Sequence, residues 1–184
     1  MTKPLELVGA TIVLRDWKMH DIGPWMKWMK PSHAWQELDG PQFPPPTEKK
    51  IGEWRESIEQ GIQTMDFPTP RVRLPICLRS TDELIGRVSW YWKEDYRCLG
   101  ISIYDPAYWR QGIGYEALGL WGDYLFEAAP EATRMILETW SGNKGMVRLA
   151  EKLGFLEEES LRTQCIVRGR EYDSLVFGVV REDW

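Results

Sequence analysis

Two hydrophobic periods organise this chain. Over residues 71–79, Val72, Leu74, Ile76 and Leu78 alternate with Arg71, Arg73, Cys77 and Arg79, the period of two of a half-buried strand. Pro75 falls on the polar phase and, having no N–H to donate, predicts an edge or a bulge. Turn residues 80–83 then lead into Leu84, Gly86, Val88, Trp90 and Trp92 on one face, completing a hairpin. Leu99, Ile101 and Ile103 continue it as a third strand. Upstream, TIVLR at 11–15 is a short β-branched run, and Asp21 precedes a Trp/Met-rich segment, 25–29, that suits a short helix. Residues 135–140, 163–168 and 174–180 supply further strands.

A period of 3.6 takes over elsewhere. Thr47 caps a polar helix to about Gly61 with Ile51, Trp54 and Ile58 on one stripe. A second helix, 114–128, aligns Leu118, Trp121 and Leu125, and a third, 143–153, aligns Met146, Leu149, Ala150 and Leu153. Between the first two helical segments, GPQFPPP at 40–46 is expected to be an exposed loop, because its prolines remove donors and fix φ. The result is a mixed α+β sheet domain. No repeat or Gly/Ser linker divides the 184 residues, so a single domain over 1–184 is expected.

Composition narrows the function. Hydrophobic residues at 43% and charged residues at 28% indicate a folded core. With 23 Lys+Arg against 28 Asp+Glu, a net charge of −5 argues against nucleic acid or an anionic membrane as partner. The opening MTKPLELVG lacks the apolar run of a signal peptide, and no stretch approaches the ~20 apolar residues of a membrane span. A cytoplasmic protein is the expectation. Cys77, Cys98 and Cys165 are odd in number and far apart, so they read as reduced thiols, with no metal site.

The chemistry concentrates in YDPAYWRQGIGYEAL, residues 104–118. A strand ends, a Pro turn follows, and Gly112 and Gly114 open an amphipathic helix. Backbone N–H groups at a helix start have no intrahelical acceptor and, with the dipole, attract phosphate oxygens. Glycine lets the phosphate approach without a Cβ in the way. Arg110 adds a guanidinium and Gln111 neutral donors, although Arg110 is equally readable as a solvated charge. A triphosphatase loop is excluded, since no G-x-x-x-x-G-K-[ST] is present. A dinucleotide fold has little support, because antiparallel hairpins precede the glycines where strand and helix should alternate.

The pattern D-P-x-Y-W-x-x-G-x-G-x-E-A-L after a strand resembles the acetyl-CoA pyrophosphate loop of the GNAT superfamily of N-acetyltransferases. In its ribosomal-protein N-terminal acetyltransferase branch a Trp often stands at the position of Trp109. NKGMVRLAEKLGF (143–155), GREYDSLVFGVVREDW (169–184) and TIVLRDWKMHD (11–21) resemble further segments of that branch in the same order. The resemblance implies a GNAT-like mixed, mostly antiparallel sheet flanked by helices, whose fourth and fifth strands splay. It implies acetyl-CoA as acyl donor, held by Trp109, Arg110, Gln111, Gly112, Ile113, Gly114 and Tyr115. Ile103 and Tyr104 lie along the pantetheine stretch, and Asn143 stands near the pantetheine arm, where it is equally a helix N-cap. Ala150 replaces the Tyr that protonates the leaving thiolate in many members, so Ser141, Thr139, Tyr104 or a water is left for that role.

Attack on a thioester requires a neutral amine, hence a base. Glu138, near the end of the strand beside the cofactor gap, is the first candidate, ahead of Glu94 and Asp95. No nucleophile signature stands out, so direct attack in a ternary complex is expected rather than an acyl-enzyme. Trp25, Trp28 and Trp54 read as helix packing. Trp35 with Glu37 and Asp39 is the candidate acceptor site, suited to a cationic amine. The acceptor is a small molecule or a protein N-terminus, and the chain acts alone or as a homodimer. A non-catalytic acyl-CoA-binding module is the alternative, motivated by the missing Tyr and by Met146 standing where the branch often has Ser.

Overall fold

The strands pair as the alternation requires. In the computed structural model, which describes residues 3–40 and 44–184, β1 (Glu6–Val8) pairs antiparallel with β2 (Ile12–Arg15), and β2 with β3 (Arg73–Leu78). β4 (Leu84–Lys93) and β5 (Tyr96–Ile103) extend the antiparallel meander, and β6 (Arg134–Trp140) returns parallel to β5. The long hairpin of β7 (Leu156–Val167) and β8 (Arg170–Val180) completes an eight-stranded mixed sheet in the order β1-β2-β3-β4-β5-β6-β8-β7. Four helices flank it: α1 (Ile22–Trp28), α2 (Glu48–Thr64), α3 (Ile113–Ala128) and α4 (Lys144–Lys152).

Two apolar layers sandwich the sheet. On one face Leu74, Ile76, Val88, Leu99, Met135 and Leu137 meet Leu118, Trp121 and Leu125 of α3 and Ala150 of α4. On the other, Val13, Cys77, Leu84 and Tyr104 meet Trp17, Trp25, Trp35 and Ile58. This second layer corrects the half-buried reading of β3: Cys77, on its polar phase, is fully buried because α1, α2 and the segment between them roof that face.

Pro75 shows both expected devices. β3 lies inside the sheet, yet its pairing with β2 stops at Leu14↔Ile76, and the register with β4 shifts between Ile76 and Cys77. No N–H is therefore missed at Pro75 on the β2 side. The C-terminal hairpin is longer than expected, since β7 begins at Leu156 rather than 163. Its outer face is polar and exposed, which hides the strand from a hydrophobic pattern. Arg168 (φ 51°) and Gly169 (φ 74°) make its two-residue turn, both in the left-handed region that a type I′ turn demands. α2 runs past Gly61 to Thr64, ending at Met65 with φ 51°. Of the Pro-rich loop, residues 41–43 lie outside the described residues, and 44–46 are exposed without regular structure.

Buried ion pairs fix the N-terminal part. Arg15 donates twice to Asp21 (2.8 and 2.9 Å) and once to Asp82 (2.7 Å), joining β2 to the turn between β3 and β4. At the other end of the chain, Trp184 packs on Phe126 and Phe155, donates to Asp123 (2.7 Å), and fills the space a Cβ would need at Gly122.

Candidate active site

The site begins where the sheet comes apart. β5 and β6 pair only over Arg97↔Met135, Cys98↔Ile136 and Leu99↔Leu137, although they continue to Ile103 and Trp140. Beyond that crotch the strands diverge and leave an edge inside the sheet. Each is pinned elsewhere. At the end of β5, Ile103 O accepts from Trp109 Nε1 (2.9 Å) and Tyr104 N donates to Ile85 O (2.9 Å). β6 pairs with β8 as far as Trp140↔Ser174, and Ser141 exchanges further bonds with Asp173.

The loop beside the gap opens a helix. Asp105 accepts from Ala107 N (2.8 Å) and starts a 3-10 turn, Pro106–Tyr108. Arg110 (φ 60°) and Gly112 (φ 83°) then turn the chain into α3. The first helical bond is Glu116 N to Gly112 O (3.0 Å), so the N–H groups of Ile113, Gly114 and Tyr115 precede the ladder. A Cβ at Gly112 would meet no atom within 4 Å, whereas one at Gly114 would come 3.1 Å from Leu149 Cδ2. Gly112 faces open space, and Gly114 lets α3 pack on α4. Arg110 is exposed; Gln111 donates to Ala107 O; Tyr115 is exposed under Lys152 Nζ, 4.7 Å above its ring.

Glu138 is the first β6 residue past the last β5 pair, on the α1/α2 face. It accepts from Lys93 Nζ and from Tyr91 Oη (2.7 Å), with Cys98 Sγ at 3.8 Å. Burial raises the carboxyl pKa, but Lys93 and Tyr91 outweigh it and hold the group below the usual Glu value. Burial pushes the Cys98 thiol up to about 11. Ser141 Oγ accepts from Asp173 N (3.0 Å) and keeps its own proton. Asn143 Oδ1 caps α4 through Met146 N (3.1 Å), and its Nδ2 donates to Leu38 O (3.3 Å), so both polar ends have protein partners.

The structure separates the three expected acceptor residues. Trp35 is buried against Tyr104 (centroids 5.2 Å apart) and donates to Trp28 O (3.3 Å). Glu37 pairs with Arg168 at the tip of the β7–β8 hairpin. Only Asp39 reaches the recess, 3.8 Å from Arg87 Nη2. Although its side chain is 45% exposed, burial raises its pKa, and Arg87 counters in part. The Tyr104 side chain is fully buried between Trp28 and Trp35.

Sequence reasoning missed the floor of this recess. The β3–β4–β5 register sets Arg73 opposite Ser89, Ser89 opposite Gly100, and Arg87 opposite Ser102. All lie on the α1/α2 face, and small residues in the middle keep it open. The signal was present: these are the polar phases of three strands whose outer face is roofed by tryptophans.

The family comparisons agree with this geometry. The acetyltransferase (GNAT) domain model matches residues 11–156. The uncharacterized N-acetyltransferase YoaA of Bacillus subtilis (strain 168) is 30% identical over 135 residues, covering 68% of this chain and 75% of that protein. Among solved structures, spermidine N-acetyltransferase from Vibrio cholerae, in complex with CoA and spermine, superposes with TM-score 0.72 at 18% identity, covering 95% of this chain and 98% of that one. The ribosomal-protein-S5-alanine acetyltransferase from Vibrio fischeri gives 0.72 at 16% identity, covering 98% of each. At such identities the likeness establishes the fold. With the family match over most of its length, the splayed strands and the glycine-opened helix, the chain belongs to the GNAT acetyltransferases and uses acetyl-CoA as the family does.

Proposed function

We propose that residues 1–184 act as one domain that transfers acetyl from acetyl-CoA to a primary amine of a small molecule or a protein N-terminus, by direct attack in a ternary complex. The observation that carries this reading is the parting of β5 and β6 after Leu99↔Leu137, beside three helix-start N–H groups and the open space at Gly112. The residues fit the donor. The N–H groups of residues 113–115, with Arg110, would hold the pyrophosphate, and the unpaired edge of residues 100–103 offers backbone groups to the amides of the pantetheine arm. Gln111, Tyr115, Trp109 and Asn143 frame that path.

Glu138 is the proton acceptor in this reading, because it stands at the crotch where donor and acceptor would meet. Ser141 supplies the proton for the departing thiolate, since its hydroxyl accepts from Asp173 N and has its hydrogen free to donate. A backbone N–H of β5 would stabilise the oxyanion. One chain carries every group named, so the reading needs no second copy. Three unpaired, buried cysteines support a reducing, cytoplasmic setting, and no described helix is long and apolar enough to cross a membrane. The test is thiol release from acetyl-CoA across amino acids, peptides with free N-termini, polyamines and aminoglycosides. An acceptor-dependent rate is expected; thiol release independent of every amine would refute the transfer.

A further inference from the structure

We propose that the acceptor amine carries a carboxylate, and that Arg73 and Arg87 on the floor of the recess bind it; this rests on the acetyl-transfer reading above. Charge pairing leads there. Three carboxylates near the recess already have a cation: Glu138 has Lys93, Glu37 has Arg168, and Asp39 has Arg87 at 3.8 Å. Arg73 is left over. Among the described residues it forms no ion pair or side-chain hydrogen bond, and its guanidinium lies 5.8 Å from the Trp54 ring. Burial lowers its pKa, and Arg87 lowers it further. Two half-buried guanidiniums on adjacent strands, of which only Arg87 has a carboxylate contact and that a long one, are costly and are the arrangement that a bound anion relieves.

A second observation points to the same place. The Tyr104 hydroxyl is fully buried and makes no hydrogen bond of normal geometry; Trp25 lies near it, but its indole N–H is unpartnered too. Burial raises the Tyr104 pKa to about 12, with Arg87, Asp39 and Arg73 all acting on it. The hydroxyl thus belongs to the same electrostatic cluster and keeps unused hydrogen-bonding capacity.

The position suits an amine acceptor. Arg73 is on the row of Ser89 and Gly100, one step along β5 from the crotch at Leu99, and Arg87 is on the next row with Ser102. Strands are about 4.8 Å apart, so the backbones of Arg87 and Glu138, two strands apart in the sheet, are at least about 10 Å from each other, a span for the two side chains and a short acceptor between them to cover. Arg73 also walls a cavity of about 460 Å³ lined by Trp17, Trp54, Ile58 and Phe67, which gives the rest of the acceptor an aromatic surface. This geometry replaces the cationic acceptor expected from Trp35, Glu37 and Asp39, two of which are already occupied.

The test uses the full chain with acetyl-CoA and acceptor pairs differing only in one carboxylate: amino acids and dipeptides against their C-terminal amides, with spermidine as polycation. The acids are expected to show kcat/KM at least about tenfold above their amides. Arg87→Gln and Arg73→Gln should each remove that advantage by raising KM for the acid, leaving the amide KM and the acetyl-CoA Kd unchanged. The Tm of Arg73→Gln should be level or higher. Equal rates for acid and amide, faster transfer to spermidine, or a uniform loss across acceptors overturns the assignment. If no amine releases thiol, N-acetyl amino acids and their amides are titrated into the CoA-bound protein. Binding of the acid alone, lost in Arg87→Gln, supports the anion site while refuting the transfer reading; no binding of either overturns the site.

Discussion

Replacing Glu138 by Gln separates a base from a structural ion pair. Gln keeps the shape and can still accept from Tyr91, but Lys93 loses its countercharge. The two side chains are 36% (Lys93) and 30% (Glu138) exposed, so solvent screening holds the pair to about 0.5–1 kcal/mol. For a chain of this length that is a fall in Tm of about 2–4 °C or less. The sign follows from the depressed carboxyl: its stabilisation is present above the ordinary Glu value of 4.5 and is lost as pH falls through the lower folded-state value. Wild type and variant should therefore converge in strong acid. Loss of a general base costs about 10²-fold or more, equivalent to about 2.7 kcal/mol of barrier. The rate effect should exceed the stability effect severalfold, with acetyl-CoA affinity unchanged. Because Glu138 stays ionised near neutrality, the rising limb of kcat/KM with pH should follow the pKa of the acceptor amine. Thermal scans, calorimetry and steady-state rates with two acceptors of different amine pKa check this. A Gln variant with wild-type rates, or a limb at the same pH for both amines, refutes Glu138 as the base.

Three further outcomes are expected. Gly112→Asp combines a left-handed φ of 83°, worth about 1–2 kcal/mol for a residue with a Cβ, with a carboxylate in the open space beside the helix start; acetyl-CoA should no longer raise its Tm. Gly122→Ala sets a methyl 2.2 Å from the Trp184 ring and should cost about 1–3 kcal/mol, read as a lowered urea midpoint without change in acceptor KM. In Asp82, burial acts upward but Arg15 and Lys18 hold the pKa at about 2, so its contribution is present above 3.8 and lost as pH falls toward 2. Asp82→Asn should lower Tm at pH 6 by more than at pH 2, by no more than about 1 kcal/mol because the carboxylate is 40% exposed.

How much of this was legible depended on which signal each part carries. The strands of the meander alternate over long runs, so β3 and β4 could be placed to within a residue or two, while β5 begins three residues before the Leu99 from which its pattern reads. β7 could not, because an exposed edge strand has no apolar face to betray it; β1, with three residues, has too little pattern. The turn into α3 was legible through glycines whose effects are local: Gly112 takes a positive φ and faces open space, and Gly114 lies against Leu149. The recess was not. Arg73 reads only as a polar-phase residue of a half-buried strand and Arg87 carries no signal of its own, and only the roof of α1, α2 and Trp54 turns that face inward. Trp35 was open to an exposed reading because it borders the Pro-rich loop, but its three-dimensional partners are Trp28 and Tyr104, which bury it.

An unpaired edge in the middle of a sheet needs a cause, since ladder groups buried without partners are expensive. Here the two strands are held apart by different anchors. Trp109 ties the end of β5 into the loop that starts α3. Trp140 ties the end of β6 the other way: its ring packs at 4.8 Å on Tyr172, occupies the space where a Cβ of Gly142 would lie, and donates through Nε1 to Leu38 O (3.3 Å). Asn143 donates to the same carbonyl, so the segment after the Ala34–Glu37 turn is fastened to the far wall of the gap. The opening is thus set by the protein's own contacts. A donor held there as proposed would add hydrogen bonds to that edge without breaking a ladder, so little of its binding energy would go to reorganisation.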